Sequence, residues 1–496
     1  SHLCLQCHPL WPFTLATFQR GSLVMAQSSH DTWRGQSQRC SSHIKPISEH
    51  DESNINQSLP LMQGCRSSLP TSPEKYYLEM DYIMQLLKRG DVVLLKGSWL
   101  LRCYHKGGVL PRRQDLPCDA VWKVEELEDE ARNTFESIGF VSISHCWYTR
   151  EHPDPDGAQV QDVGFVVEAA LAEGRFQNAD FDLAIFWCWC SFFQEPRSPT
   201  EERCFKRAME HMDLWYTNRW FDVWMLTKVP DGVANNVPYH MRGWTTWERT
   251  VAALLPDAPR MDGRAPLDLG NLTPDEVSRC RTFLDTNHPW RCFEEVLKRC
   301  TCQLYGPPLE PGAFAALIST KTFTKGKTDL ECVINNYQRN FSQVMAVVTG
   351  FRYECLSTFH ATEMEQLCRV LPATKQLQCI HIESCPIGNA GVEALARTLP
   401  SMSRTAQTEL KIELVDCGAD MDALGRLEEA CWRIGAIASV SSIQKSQLLE
   451  PLCLAPELLP SPQQIYERER CPPPWCPSTP LHLSPPQQIC ELELMD

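Results

Sequence analysis

From position 139 to 255 the chain alternates between short β-branched runs and amphipathic stretches, and this alternation limits the fold more than any other feature. The run "GFVSISHCW" (Gly139–Trp147) reads as a buried strand and "AQVQDVGFVVEAALAEG" as a helix. "DLAIFWCWCSF" then reads as a strand, "TEERCFKRAMEHMDLWYTN" as a helix with Thr200 at its N-cap, "FDVWMLT" as a strand and "GWTTWERTVAALL" as a helix. Strands and helices of this length in turn predict a parallel, doubly wound α/β sheet. Such a sheet collects its strand carboxyl ends on one edge, where ligands usually bind. Ser144, His145, Cys190, Ser191 and Thr227 fall at that predicted edge.

Ahead of this stretch, "SPEKYYLEMDYIMQLLKRG" predicts a helix that Ser72 caps, Pro73 begins and Gly90 ends. "DVVLL" and "SWLLRC" predict short strands, and "VWKVEELEDEARN" (Val121–Asn133) a helix. Residues 71–255 are therefore read as one α/β domain with an N-terminal extension. Residues 256–350 read as a linker and helical segment, with helices over Thr273–Asp285, Trp290–Cys300 and Thr328–Val348. Residues 1–70 form a polar tail and 446–496 a proline-rich tail; both are expected to be disordered or extended, having too little apolar surface to offset ordering entropy.

Between 351 and 445, Leu377, Ile380, Ile382 and Cys385 follow the order L-x-x-L-x-L-x-x-C and lead into "VEALARTL". This resembles a leucine-rich repeat of the strand-plus-helix type, and a weaker copy starts at Leu410. Two units are fewer than a solenoid usually needs, so this region is expected to lean on the helices before it. The strand face of such repeats is a usual place for protein contacts.

Charge and cysteine content narrow the classes of function. A formal charge of −15 gives little support to phosphate-backbone binding, so no nucleic-acid partner is expected. The 25 cysteines are odd in number and scattered through apolar segments, which favours reduced thiols and an intracellular, cytoplasmic setting. No apolar run approaches the ~18 residues that mark a transmembrane helix, so no membrane span is expected. The serine start and the tract after it fit a fragment or a displaced start better than a signal peptide. "CLQCH" matches the C-x-x-C-H haem-attachment pattern but stands alone in the polar tail, the cysteines of "CWC" share one face of a strand, "CTC" lacks a matching C-x-x-C or His pair at zinc spacing, and no metal is expected. The phosphate-binding patterns G-x-G-x-x-G and G-x-x-x-x-G-K-S/T do not occur, and no cofactor is expected.

Three blocks in order, "FVSISHCW", "DLAIFWCWCSFFQ" with its following Glu-rich helix, and "YHMRGWTTWE", together resemble the heterokaryon incompatibility (HET) domain. The resemblance covers about residues 139 to 255. It implies a fold related to the Toll/interleukin receptor (TIR) domain, a flavodoxin-like α/β sheet. The second block departs from the pattern: Trp187-Cys188-Trp189-Cys190 stands where an acidic residue is usual, and Gln194 comes one position late. Some TIR relatives cleave nicotinamide from NAD with a Glu four residues after a Trp, and Trp244 to Glu248 reproduces that spacing.

Residues four apart share a helix face, so the resemblance implies Glu248 as the catalytic carboxylate with Trp244 or Trp247 lining a ligand pocket and NAD as a possible substrate; Ser144 and His145, at the end of the first predicted strand, are placed to meet a phosphate or ribose there. A carboxylate there would stabilise the oxocarbenium-like cation left as nicotinamide departs. The alternative for the same residues is scaffolding: Trp and Glu on an amphipathic helix commonly serve a core and a solvated face, and His145 can be a hydrogen-bonded core group. Two functions follow. The first is an intracellular signalling or protein-interaction protein whose repeats recognise a protein partner and whose α/β domain self-associates. The second is an NAD glycohydrolase.

Overall fold

A computed structural model describes residues 72–132, 135–255, 266–286, 288–301, 306–402 and 409–441. The chain divides into two units, Ser1–Ser68 and Leu69–Asp496; the first lies outside the described residues, as does the expected proline-rich tail at 446–496. The architecture is α/β, with two mostly parallel sheets and helices packed on them.

The first sheet contains β1 (Leu95–Lys96), β2 (Ile138–His145), β3 (Asp182–Trp187), β4 (Phe221–Leu226) and β5 (Leu267–Asp268), in the spatial order β1-β3-β2-β4-β5. All neighbours are parallel except β1 against β3. β2 is central, and the chain leaves it first towards β3 and then returns past it to β4, so the strand order reverses between β2 and β4. Seven of the eight residues of β2, and all six of β3, are buried, as expected of parallel strands covered on both faces. Alternation then sorts the side chains. Phe140, Ala184, Phe186, Val223 and Met225 join one core, whereas Val141, Ile143, Ile185, Trp187 and Trp224 join another.

The second core is closed by α3 (Gly97–His105), α5 (Ala158–Gln177), α10 (Pro274–Leu284) and α11 (Trp290–Cys300). On the first face lie α1 (Pro73–Leu78), α2 (Asp81–Lys88), α4 (Val124–Arg132), α8 (Leu214–Thr217) and α9 (Gly243–Ala252). Between β3 and β4 the chain also forms α6 (Cys188–Ser191) and α7 (Pro199–Glu210). The pairing of β5 with β4 carries the sheet past position 255.

Several local expectations are corrected. "SWLLRC" is helix α3 rather than a strand: the side chain of Asp182 accepts from the Ser98 amide (2.8 Å) and hydroxyl (2.5 Å) and so satisfies the helix start from another strand. The strand expected over 182–192 ends at Trp187, where Cys188–Ser191 turn helical and the Ser191 hydroxyl accepts from the Trp187 amide. Ser198, not Thr200, caps α7, in a reciprocal capping box with Glu201 behind Pro199. The helix expected to run on to Asn218 breaks after Glu210 and resumes at α8. The first helix likewise divides into α1 and α2.

α12 (Pro311–Ile318) and α13 (Lys327–Met345) lead to the second sheet. That sheet holds β6 (Gly350–Glu354), β7 (Cys379–Glu383), β8 (Lys411–Val415) and β9 (Ile437–Ser441) in chain order, all parallel, with α14 (Ala361–Val370), α15 (Gly388–Thr398) and α16 (Met421–Arg433) between them. The strand-and-helix alternation thus begins one strand earlier than the two copies read from the sequence. Phe351, Tyr353, Ile380, Ile382, Ile412 and Leu414 point inward from alternate positions, in a cluster continuous with Tyr337 and Phe341 of α13. The expected support from the preceding helices is therefore made by α13.

Candidate functional site

The residues expected to surround a pocket lie at the carboxyl end of β2, beside the reversal of strand order. They do not share one chamber. Ser144 and His145 are adjacent on a strand and so leave it on opposite faces.

Ser144, fully buried, turns towards α9, where its hydroxyl donates to Glu248 Oε2 at 2.5 Å and lies 2.6 Å from the Tyr239 hydroxyl. A hydroxyl has one proton to give; with Ser144 donating to Glu248, Tyr239 is the donor to Ser144, which makes a chain of three groups. Tyr216 also hydrogen-bonds Glu248, and its hydroxyl reaches the Ile143 carbonyl at 3.4 Å. Glu248 is only 5% exposed. Burial pushes its carboxyl up to about 8 against the pull of the bonds from Ser144 and Tyr216, so at pH 7 the group is mostly a neutral acid. Burial likewise holds the hydroxyls of Tyr216 and Tyr239 well above the ordinary phenol range.

His145 enters the other core. Its Nδ1 lies 2.9 Å from Gln159 Oε1, and its Nε2 lies 3.2 Å from Cys188 Sγ. The Gln159 amide nitrogen donates to the Cys146 carbonyl, which leaves Oε1 as the acceptor and places the imidazole proton on Nδ1. Nε2 then accepts from the Cys188 thiol. Burial moves His145 down to about 4 and Cys188 up to about 12. The pair is thus neutral imidazole and neutral thiol, the reverse of the thiolate–imidazolium arrangement of a cysteine nucleophile. His145 also meets Trp187 edge to face at 5.7 Å.

The Arg-Gly-Trp block itself holds loops. The Arg242 guanidinium donates to the carbonyls of Trp147 (2.7 Å), Asn235 (2.7 Å) and Val237 (2.8 Å), tying the segment after β2 to the segment after β4. At Gly243 a Cβ would come within 2.1 Å of the Phe323 ring, so only glycine permits this approach. Trp247 is fully buried with its ring edge towards Tyr216, and Trp244 is half-buried against Trp247. Both tryptophans therefore contribute to the core packing around Glu248. In the second block, the late Gln194 closes its own turn, donating to the carbonyls of Cys188 and Phe192.

A cavity of about 170 Å³ lies at the opposite, amino-terminal edge of the sheet, between Gly139, Phe181, Trp220, Trp224 and Phe293. None of the five expected site residues lines it. Tyr216, Tyr239, Gln159 and Cys188 complete the two polar clusters and were not anticipated. Tyr239 stands in the quoted third block, but nothing in its spacing reveals a bond to Ser144.

Among the described residues, one group of three side chains has metal-ligand spacing: Glu354, His381 and Glu383, on the outward face of the second sheet. No family model, curated protein or solved structure matches the chain.

Proposed function

We propose that this is an intracellular protein-interaction protein, built from a HET/TIR-like α/β domain joined to a leucine-rich-repeat-like recognition segment. One observation carries this reading: the carboxyl of Glu248 is used within the fold, 5% exposed, mostly neutral and hydrogen-bonded to Ser144 of the central strand. A side chain so placed ties α9 to the sheet and meets no solvent-borne substrate. Taking the four parallel strands in chain order, their spatial order is second, first, third, fourth, as in flavodoxin-like sheets. The all-parallel β6–β9 sheet with intervening helices supports the repeat reading. Its outward ladder carries Arg352, Glu354, His381, Glu383, Lys411 and Glu413, a polar strand face of the kind solenoids offer to protein partners. The free cysteines along the described chain fit a reducing compartment. No helix among the described residues is long and apolar enough to cross a membrane.

The test is comparative. Charge reversal of Lys411 and Arg352 should abolish co-purification of partners that the unaltered chain retains from its own cells, with no fall in Tm. Equal recovery by both proteins would refute the assignment of this face.

The second reading, NAD glycohydrolase, has one observation in its favour. Glu248 sits at the carboxyl end of β2 beside the strand-order reversal, with a strongly shifted pKa, and such groups cluster at functional sites. It requires α9 or the 235–242 segment to move so that Glu248 meets a ribose. Nicotinamide release decides between the two readings.

A further inference from the structure

We propose that Glu354, His381 and Glu383 form a binding site for a zinc-class divalent metal ion on the outward face of the second sheet, with Glu413 orienting the histidine. The site is assembled by register. Glu354 of β6 is the ladder partner of Glu383 of β7, and His381 lies two residues before Glu383 on the same face of β7. The next strand supplies Glu413, the ladder partner of His381.

The donor geometry suits a metal. His381 Nε2 lies 3.3 Å from Glu354 Oε1 and 3.3 Å from Glu383 Oε2, and the three ligand atoms all fall within 4.8 Å of one another. With metal–ligand bonds of about 2.0–2.1 Å, tetrahedral donors stand about 3.3 Å apart. One imidazole and two carboxylates leave a fourth position for water, a donor set suited to zinc or another first-row divalent ion.

The state of the histidine points the same way. Its Nδ1 lies 3.1 Å from Glu413 Oε2, so the imidazole proton is directed to that carboxylate. A metal-bound histidine ordinarily gives its other ring N–H to such a group, which fixes the tautomer and the ring plane. Nε2 thereby faces the carboxylate oxygens of Glu354 and Glu383. It is sealed from solvent, makes no hydrogen bond, and belongs to a side chain only 13% exposed. Two carboxylates converging on one ring nitrogen favour positive charge at that point, and a metal ion among the three ligand atoms supplies it in place of a proton on Nε2. Arg352 bonds Glu354 Oε1 at 2.5 Å and Lys411 bonds Glu413 Oε1 at 2.5 Å. These cations fix the two carboxylates and offset part of the site's negative charge, so the ion must compete with Arg352 for Glu354.

The experiment uses the full chain, first freed of metal, and adds Zn²⁺ against a chromophoric chelator and Co²⁺ as a spectroscopic probe. Exposed thiols such as Cys118 and Cys355 also take these ions, so the readout is the difference between the unaltered chain and its variants, in visible cobalt bands without thiolate charge transfer. His381→Ala and Glu383→Gln should each remove one equivalent or weaken its binding at least tenfold, and Glu413→Gln should weaken it by roughly 10–100-fold. All three positions lie on the solvent face of the sheet, and an unchanged Tm of the metal-free variants confirms that they fold. Equal stoichiometry and affinity in the unaltered chain and His381→Ala, or no nitrogen- and oxygen-ligated equivalent in the unaltered chain, overturns the proposal.

Discussion

Replacing Glu248 with glutamine keeps the shape of the side chain and a hydrogen-bond acceptor for Ser144 but removes its titration. The folded chain holds this carboxyl at about 8, against 4.5 for an ordinary glutamate. Between these values the folded state binds a proton that the unfolded state has released, so Glu248 makes stability fall as pH rises. The loss is absent below about 4.5 and levels off above about 8. The slope is at most about 1.4 kcal/mol per pH unit, which amounts to about 3–4 kcal/mol between pH 5 and pH 8. For a chain of this length that corresponds to a Tm change of several degrees. Other buried carboxyls shift upward too, Asp154 and Asp213 among them, so the difference between variant and unaltered chain is the quantity to measure. Glu248→Gln should match the unaltered chain near pH 5 and exceed it progressively up to pH 8 in thermal melts. Parallel melting curves over that range would show that Glu248 reaches solvent or is ionised in the fold, and would refute its placement.

His145 titrates in the opposite sense. Its folded value is held down to about 4, so its contribution is present above about 6.5 and is lost as pH falls through 4; His145→Gln should flatten that acid limb of the Tm profile. Gly243→Ala drives a methyl into the Phe323 ring and should cost about 1–3 kcal/mol, with partial recovery when Phe323→Leu makes room, both read by denaturant unfolding. Asp91 is fully buried and paired with Arg207 and Arg89; because both arginines stay partly in water once the carboxylate is gone, Asp91→Ala should cost only about 1–2 kcal/mol by the same measurement, from lost hydrogen bonds. In a thiol-reagent time course Cys118 and Cys355 should react at once, whereas Cys190, buried and with its thiol pushed well up, should wait for unfolding.

How much of this was legible in the sequence depended on how local the deciding forces were. The strand Ile138–His145, expected over Gly139–Trp147, and the helix after Arg242 follow from β-branched and amphipathic patterning, and Trp290–Cys300 is a helix with the expected bounds. "SWLLRC" was misread because its helix start is satisfied by Asp182, more than eighty positions away. The first strand of the second sheet, Gly350–Glu354, shows only Phe351 and Tyr353 as large apolar residues turned inward, too short a pattern to announce a strand of this sheet. Trp244 and Glu248 do lie four apart on one helix, but spacing along a helix does not say what that helix faces. Packing against β2 turned Glu248 towards Ser144 and sealed it. The Glu354–His381–Glu383 group was invisible for a related reason: strand register, which no linear motif records, brings it together.

The central proposal is that Glu248 serves to hold α9 to the sheet through Ser144. Nicotinamide release from NAD by the full chain tests it most directly, measured at high protein concentration with and without a crowding agent, beside Glu248→Gln. The account predicts no release above that of the variant under either condition. Release by the unaltered chain that Glu248→Gln abolishes while its fold persists would contradict it, and would make the buried acid a catalytic group exposed by movement of α9.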